Sequence, residues 1–581
     1  MGKLFLVVIF ALGGLVAMAQ NIPNSAYPYD PATKPNQHIT PGEIIEKEFS
    51  ASKIYPGTSR KYWIYIPAGY TPAKPACLYV SMDGILLNAP TVFDNLIASG
   101  QMPVTIGIFV GPGEVKDNDN NTLRFNRSNE FDKTDGTFVR FLLEELLPEV
   151  EKQKTKDGRT ILFSEDANDR AIAGLSSGAI CAFTAAWQRP DKFSRVFSAV
   201  GTYVAMRGGN EYPALIRKTE PKPIRIFLQD GINDVWNPLF GHWYESNLLM
   251  ESALDFAGYE VEHNWGRGKH DVIHASKIFP DVMRWLWKGY PARVQKGNSL
   301  NDMLASILLP DSDWKEIDSR ISPSGQLFTD EAGNVIFQNQ EGFVCKVDSS
   351  HAITSRLKLS NDERLIGTDG NELFIATSNG TIKKGSTTKK NIIAKGIPHV
   401  KELLVTSEKD IYLLQENSQN DNNLYLIRHN KITRIKNNQP GLGSEIAISP
   451  DHKLLMQNEK NSQWIYSSMI DAEGNLLYGQ RFYWLHNTDN FDFTENGNIT
   501  FDINGNLYVA TKMGIQVCDM NGRVRAILSL PSGRVSSVIF GGKNHAVLYA
   551  VSNGKLFYRK MNVSGSAPWM SPIKLKSQGA G

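Results

Sequence analysis

At 581 residues the chain is too long for one ordinary domain, and 41% hydrophobic with 21% charged residues is a globular composition. A formal net charge of +2 gives no electrostatic reason to expect nucleic acid or an anionic membrane surface as a partner. Cys77, Cys181, Cys345 and Cys518 are too widely spaced for a metal site or a disulfide framework and read as buried free thiols.

Residues 1–19 read as an export signal. Lys3 supplies the positive start, "LFLVVIFALGGLV" the apolar run, and Ala17 to Ala19 a small-x-small cleavage site. The run is short for a membrane span and no later stretch is apolar enough, so the expectation is an exported, soluble protein, periplasmic or secreted after cleavage near Ala19. Residues 20–51 are rich in Pro, Asn and Lys and read as a leader with little structure.

From 52 to 292, strand-like runs ("KYWIYIP", "ACLYVSMDG", "VTIGIFVG", "RAIAGLS", "RVFSAVG", "IRIFLQDG", "YEVEHNWG") alternate with helix-like ones. The helical candidates are "GTFVRFLLEELLPEVEKQ", "GAICAFTAAWQRP", "WYESNLLMESALDFAG" and "IFPDVMRWLWKG". This alternation predicts an α/β domain with a mostly parallel sheet covered on both faces. After a linker at 293–310 the helices nearly vanish. Between 311 and 567 a turn-then-strand phrase recurs at Gly333, Gly370, Lys409, His452, Gly505 and His545, spaced by 37, 39, 43, 53 and 40 residues. Such a period, with several short strands per unit, predicts a six-bladed β-propeller.

The chemistry-bearing stretch is Gly174-Leu175-Ser176-Ser177-Gly178, between a strand and an Ala-rich helix. A glycine-flanked serine at a sharp strand-to-helix turn is the context of a nucleophile elbow, with Ala179 and Ala182 letting the helix approach. Partners are expected downstream in the order acid, then histidine. Asp234, in "DGIND", and His270, in "GRGKHD", each follow a strand, 58 and then 36 residues on. His270 would be the general base, Asp234 its orienting acid. The oxyanion donors would be backbone N–H groups of Ser177 and of the loop at Asp83, Gly84 and Ile85. Asp230 is the alternative acid, His274 and His263 the alternative bases, and Ser177 the alternative nucleophile. Trp236, Trp243 and Trp265 lie near the acid and histidine and are candidates for stacking on substrate, against the alternative of core filling. Arg127 and Glu130, in "NRSNEF", read as a structural salt bridge or cap.

On "SKIYPGTSRKYWIYIPAGY", "VSMDG", "NRSNEF", "GLSSGA", "WQRPDKF", "LQDGIND" and "GKH", residues 52 to 291 resemble the esterase D / enterochelin-esterase-like group, which includes the family 1 carbohydrate esterases. The resemblance implies an α/β-hydrolase fold, cofactor-free ester hydrolysis, and a triad at Ser176, Asp234 and His270. On "GNITFDINGNLYVATKMGIQVCDMNGRV" and "SSVIFGGKNHAVLYAV", the second half resembles the SMP-30/gluconolactonase propellers. Their lactonases hold a divalent cation through a Glu, two Asn-like ligands and an Asp. Here the matching positions read Ser324 or Gly325, "PHVKEL", Ser444, and Gly497 beside Asn498. With no acidic ligand expected there, no metal and no lactonase activity are expected, and the propeller would be a spacer, a substrate platform or a partner surface. The expected whole is a serine esterase acting on feruloyl or acetyl esters of plant polysaccharides or oligosaccharides, with an ester-decorated carbohydrate as its partner. A siderophore esterase, a metal-dependent sugar lactonase and a carbohydrate-binding scaffold are the other readings.

Overall fold

The computed structural model describes residues 29–317, 320–386, 390–416, 422–435, 442–459, 461–487, 496–531 and 533–576. The expected export signal and residues 20–28 of the leader lie outside the described residues. The chain divides into two compact units. The first runs to Asn210 and includes Ile224–Glu251 and Val261–Val294; the second takes Glu211–Pro223, Ser252–Glu260 and the chain from Gln295.

The first unit is built on eight strands: β1 (Glu43–Phe49), β2 (Arg60–Ile66), β3 (Cys77–Met82), β4 (Thr105–Val110), β5 (Arg170–Leu175), β6 (Arg195–Ala199), β7 (Arg225–Gly231) and β8 (Glu260–Gly266). Their order in the sheet is β1-β2-β4-β3-β5-β6-β7-β8. β2 is antiparallel to β1 and β4, and β4 through β7 are parallel. Every residue of β3, β4, β5, β6 and β7 is buried, the signature of strands covered on both faces. The covering helices include α1 (Ala89–Ala98), α2 (Ser177–Gln188), α3 (Trp243–Phe256) and α4 (Ile273–Leu286). On one face Phe279 of α4 lies 6.0 Å, ring to ring, from both Phe93 of α1 and Phe197 of β6, with Tyr79 edge-on to Phe93 at 4.9 Å. The four cysteines are free and buried.

Three local expectations need correction. The leader is not structureless throughout: Glu43–Phe49 is β1, paired from Glu43↔Ile66 to Phe49↔Arg60. Its four charged and partly exposed residues suit an edge strand, where charge discourages pairing with other chains. The linker contains a short helix, Asp302–Ile307. Asn301 caps it, its Oδ1 accepting the Leu304 N–H at 3.0 Å, and Leu304 and Ile307 join a core with Tyr508 and Leu548. The stretch expected as one helix from Gly136 runs as Thr137–Phe141, a π-helical turn at Leu142–Leu146, and Leu147–Glu151. Pro148 has no N–H to return to Glu144, and the ladder widens just before it.

Arg60 and Glu130 form a fully buried ion pair, 2.6 and 2.9 Å between their nitrogens and oxygens. The guanidinium also lies 4.1 Å over the Phe141 ring. Removing one member strands the other charge in the interior. Arg60→Ala is therefore expected to cost about 3–5 kcal/mol in denaturant unfolding. A loss below about 1 kcal/mol, the value of an exposed pair, would show that Glu130 is solvated after all.

The second unit contains six small antiparallel sheets, spanning 328–358, 363–394, 400–435, 442–484, 499–528 and 535–560. This is the six-bladed propeller. The recurring phrase is the turn between the first two strands of each blade. At all six positions the backbone is left-handed: φ is 80° at Gly333, 95° at Gly370, 68° at Lys409, 59° at His452, 85° at Gly505 and 52° at His545. Glycine adopts this conformation without penalty and fills three of the six turns. Ring closure is shared. Lys315–Glu316 pairs with Lys555–Lys560 in the last blade, and Gly565–Ser566 pairs with Ile499–Asp502 in the fifth.

Candidate active site

The elbow stands where the sequence puts it. β5 ends at Leu175 and α2 begins at Ser177, leaving Ser176 between them with φ 58° and ψ −122°. That strained conformation is held because the Ser176 N–H donates to Ala199 O at 2.9 Å and its carbonyl receives the Ala179 N–H at 3.0 Å. Contact requires glycine at 174 and crowds any side chain at 178. A Cβ on Gly174 would sit 2.1 Å from Gly178 O, and one on Gly178 would sit 3.1 Å from both Asp83 Oδ2 and Met82 Cβ.

The loops after β7 and β8 lie backbone to backbone. Ile232 N–H donates to Gly266 O at 2.9 Å and Asn233 N–H to Gly268 O at 3.2 Å. A Cβ on Gly231 would come within 2.4 Å of Gly268 O. This packing delivers the acid and the imidazole side by side. His270 Nδ1–H donates to Asp234 Oδ1 at 2.6 Å, and His270 Nε2 lies 2.8 Å from Ser176 Oγ. A carboxylate only accepts, so the proton sits on Nδ1 and the Nε2 lone pair faces the serine hydroxyl. Burial works to raise the Asp234 carboxyl, but hydrogen bonds from His270 and Asp230 hold it below its ordinary range, so it is ionised.

The alternatives occupy other places. Asp230 is fully buried; its carboxyl accepts the Gly231 N–H at 2.6 Å and the Asn247 Nδ2–H at 2.8 Å. Burial, then the neighbouring Asp234, pushes it well above the carboxylate range. His274 is buried in α4 between Gln229 and Asn264, 3.0 Å from each, and burial pushes it down to about 4. His263 stacks on Trp265 and pairs with Glu251. The Ser177 hydroxyl accepts from Arg127 Nη1 at 3.0 Å. Arg127 also grips Asp83 bidentately at 2.7 and 2.8 Å, so Arg127 and Glu130 are each in a salt bridge, with different partners.

For the oxyanion donors, Ser177 N–H lies in the first turn of α2, where no intrahelical acceptor exists. Asp83, with φ 66°, is fixed against the elbow by Arg127. Gly84 must be corrected: its N–H is taken by Val110 O at 3.3 Å. Trp243 also needs correction. It is 5% exposed, its indole N–H donates to Thr202 Oγ1 at 3.2 Å, and its ring meets His270 edge-on at 5.9 Å. It supports the imidazole and offers no open face. Trp265 has its indole N–H committed to Glu251 at 3.2 Å and its ring stacked on His263 at 5.0 Å. Trp236 is 66% exposed on the hairpin that follows Asp234, whose turn also carries the exposed Leu239. Sequence reasoning missed Thr202, whose Oγ1 lies 3.3 Å from Ser176 Oγ. A lone threonine after a strand gives no local signal.

Inside the propeller a cavity of about 70 Å³ is lined by Thr368, Glu402, Asn498 and Trp569 among others. Acidic side chains do remain here, which corrects the expectation of none: Glu402 and Glu445 are both buried and both share Gln326. Their oxygens are engaged. Glu402 Oε2 takes the Ile446 N–H at 2.9 Å, and Glu445 takes the Gln326 amide and pairs with Lys401 Nζ at 3.4 Å. Asn498 Oδ1 takes the Val538 N–H at 2.6 Å. A side chain at Gly497 would begin 2.1 Å from Ser536 O, so no Asp fits there. The Ser324 hydroxyl is turned onto Gln338 O and Asn339 O, and the Ser444 side chain lies outside the described residues. This donor set, with an ammonium inside it, satisfies itself and does not fit a hard divalent cation. Among the described residues no group of three or more His, Cys, Asp or Glu could hold a metal ion, and no helix is long and apolar enough to cross a membrane.

Residues 53–274 match the family model described as "Putative esterase", and residues 322–554 match that of the SMP-30/gluconolactonase/LRE-like region. Among solved structures, the enterobactin esterase FES of Shigella flexneri is 21% identical over 45% of this chain and 63% of its own, with a TM-score of 0.34. A ferulic acid esterase is 18% identical over 42% of this chain and 98% of its own, with a TM-score of 0.32. A luciferin-regenerating enzyme is 16% identical over 46% of this chain and 100% of its own, with a TM-score of 0.37. No curated protein sequence matches the chain. One polypeptide thus carries an esterase-family domain followed by an SMP-30/gluconolactonase-like propeller region.

Proposed function

We propose that the chain is an exported serine esterase that cleaves feruloyl or acetyl esters of plant polysaccharides or their oligosaccharides. The observation that carries the catalytic part is the relay Asp234–His270–Ser176, closed at 2.6 and 2.8 Å. Ser176 Oγ attacks the ester carbonyl carbon as His270 Nε2 takes its proton, and the carbonyl π electrons move onto oxygen. The backbone N–H groups of Ser177 and Asp83 hold that oxyanion. Collapse breaks the bond to the sugar oxygen, which leaves with the proton from His270, and the acyl group stays on Ser176. A water then repeats the sequence, with His270 again as base, and releases the acid. The exposed Trp236 and Leu239 after Asp234, and Ile273 after His270, favour an aromatic acyl group, because an aryl ring gains most by covering apolar surface. An export signal at residues 1–19, as the sequence suggests, would suit an extracellular, polymeric substrate.

The test uses purified protein, labelled with a fluorophosphonate and assayed on methyl ferulate, acetylated xylan, enterobactin and gluconolactone. Expected are one adduct on Ser176 and fastest turnover of methyl ferulate. Fastest turnover of enterobactin would assign a siderophore ester instead. A metal-stimulated lactonase rate, or no adduct at all, would overturn the proposal.

A further inference from the structure

Beside the relay lies a second carboxyl that the mechanism does not use. Asp234 Oδ1 is fully occupied by His270 and by the Val235 N–H at 2.5 Å. Asp234 Oδ2 is buried and has no N–H or side-chain amide donor. The group in hydrogen-bonding contact with the Asp234 carboxylate is the side chain of Asp230. Asp230 is itself 0% exposed at the end of β7. Its two oxygens receive one N–H each, from Gly231 and Asn247. The Asn247 amide is oriented by Gly201 O at 2.9 Å and Trp243 O at 3.0 Å, which only accept, so its NH2 and not its oxygen faces this cluster.

Two ionised carboxylates in contact without a shared cation would repel strongly in this setting. The histidine neutralises only Asp234. We propose that Asp230 is a carboxylic acid at neutral pH and donates its proton in a hydrogen bond to Asp234 Oδ2, making it a positioning residue for the relay. This rests on the serine-esterase reading for its consequence on rate, though not for the protonation itself. The donated bond fills the one vacant acceptor of Asp234 and fixes the carboxylate plane, leaving Oδ1 aimed at His270. Three other titratable groups surround the pair. His270 lies beyond Asp234, Tyr244 of α3 lies within electrostatic reach of Asp230, and His274 lies behind Gln229. None of them supplies a cation to Asp230.

The full-length protein tests this with two substitutions. Asp230→Asn keeps a donor for Asp234 Oδ2, removes one acceptor from Gly231 or Asn247, and changes no charge if Asp230 is already neutral. Its kcat/KM–pH profile is then expected to have the same acid limb as the parent, with kcat within about threefold. Were Asp230 ionised, the substitution would remove a negative charge near the imidazole, ease its deprotonation and move the acid limb to lower pH. That result would overturn the proposal. Asp230→Ala removes the donor and is expected to lower kcat by roughly tenfold with KM unchanged, the cost of one orphaned charged acceptor. The second readout is independent of turnover. The infrared difference between parent and Asp230→Asn at neutral pH should show loss of a protonated-carboxyl C=O band, and its absence sinks the idea whatever the enzyme hydrolyses. Failure of the esterase reading would show differently, as full activity in a protein lacking the Ser176 hydroxyl.

Discussion

Ser176→Ala is expected to lower kcat on the preferred ester by on the order of 10⁶, because the hydroxyl is the atom that bonds to the acyl carbon. A residual rate of about 10³ to 10⁴ over water should survive, since the N–H groups of Ser177 and Asp83 still hold an oxyanion. The fold should be unaffected. Alanine carries the same Cβ in the same left-handed backbone, so the strain at φ 58° is unchanged. Steady-state kinetics with a parallel thermal melt checks both. Ser177 cannot take over, because its hydroxyl is held by Arg127. A loss under about tenfold would therefore place the nucleophile outside this elbow altogether.

Asp234→Asn should cost kcat about 10⁴. An amide at this position can turn its NH2 toward His270, and the imidazole must then present a lone pair at Nδ1 and a proton at Nε2. A protonated Nε2 cannot accept from Ser176. The geometry survives and the tautomer is wrong. The contrast with Asp230→Asn is informative, because the two acids are four residues apart and both buried. One substitution should be nearly silent and the other severe. If their effects were exchanged, the orienting acid would be Asp230 and the 2.6 Å contact of Asp234 with His270 would be incidental.

Much of this site was legible because its determinants are local. Gly174 and Gly178 announce a tight turn, and the structure gives the reason: a side chain at 174 would begin 2.1 Å from Gly178 O, and one at 178 would crowd Asp83 and Met82 at 3.1 Å. Asp234 and His270 each follow a strand on a glycine-bearing loop, and Gly231 and Gly268 prove to be where those loops touch. What was not legible depends on long-range packing. Trp243 begins an amphipathic helix, and only the fold shows that its indole turns inward to Thr202 and not outward to substrate. Gly84 reads as a donor until its N–H is seen to be used by β4. "EIIEKEF" is a strand only because β2 offers it an edge, a partner no local pattern declares. In the propeller the turn phrase fixed the blade period, since a left-handed residue is a local requirement. Glu402 lies within "PHVKEL" and Glu445 directly follows Ser444, but nothing local to either phrase shows that its side chain turns into the interior. Glu445 is accommodated by Gln326 and Lys401, and Glu402 by the Ile446 N–H, each arriving from another stretch of the chain.

The way the propeller ring is sealed bears on how the protein is made. Lys315–Glu316 pairs with Lys555–Lys560, so a strand that precedes all six blades waits for one in the sixth. Gly565–Ser566 comes later still and completes the fifth blade. A nascent chain interrupted on the ribosome before these segments emerge would carry two raw strand margins with no cover. The ring thus couples closure to translation: only a polypeptide read through to Ser566 can shut it.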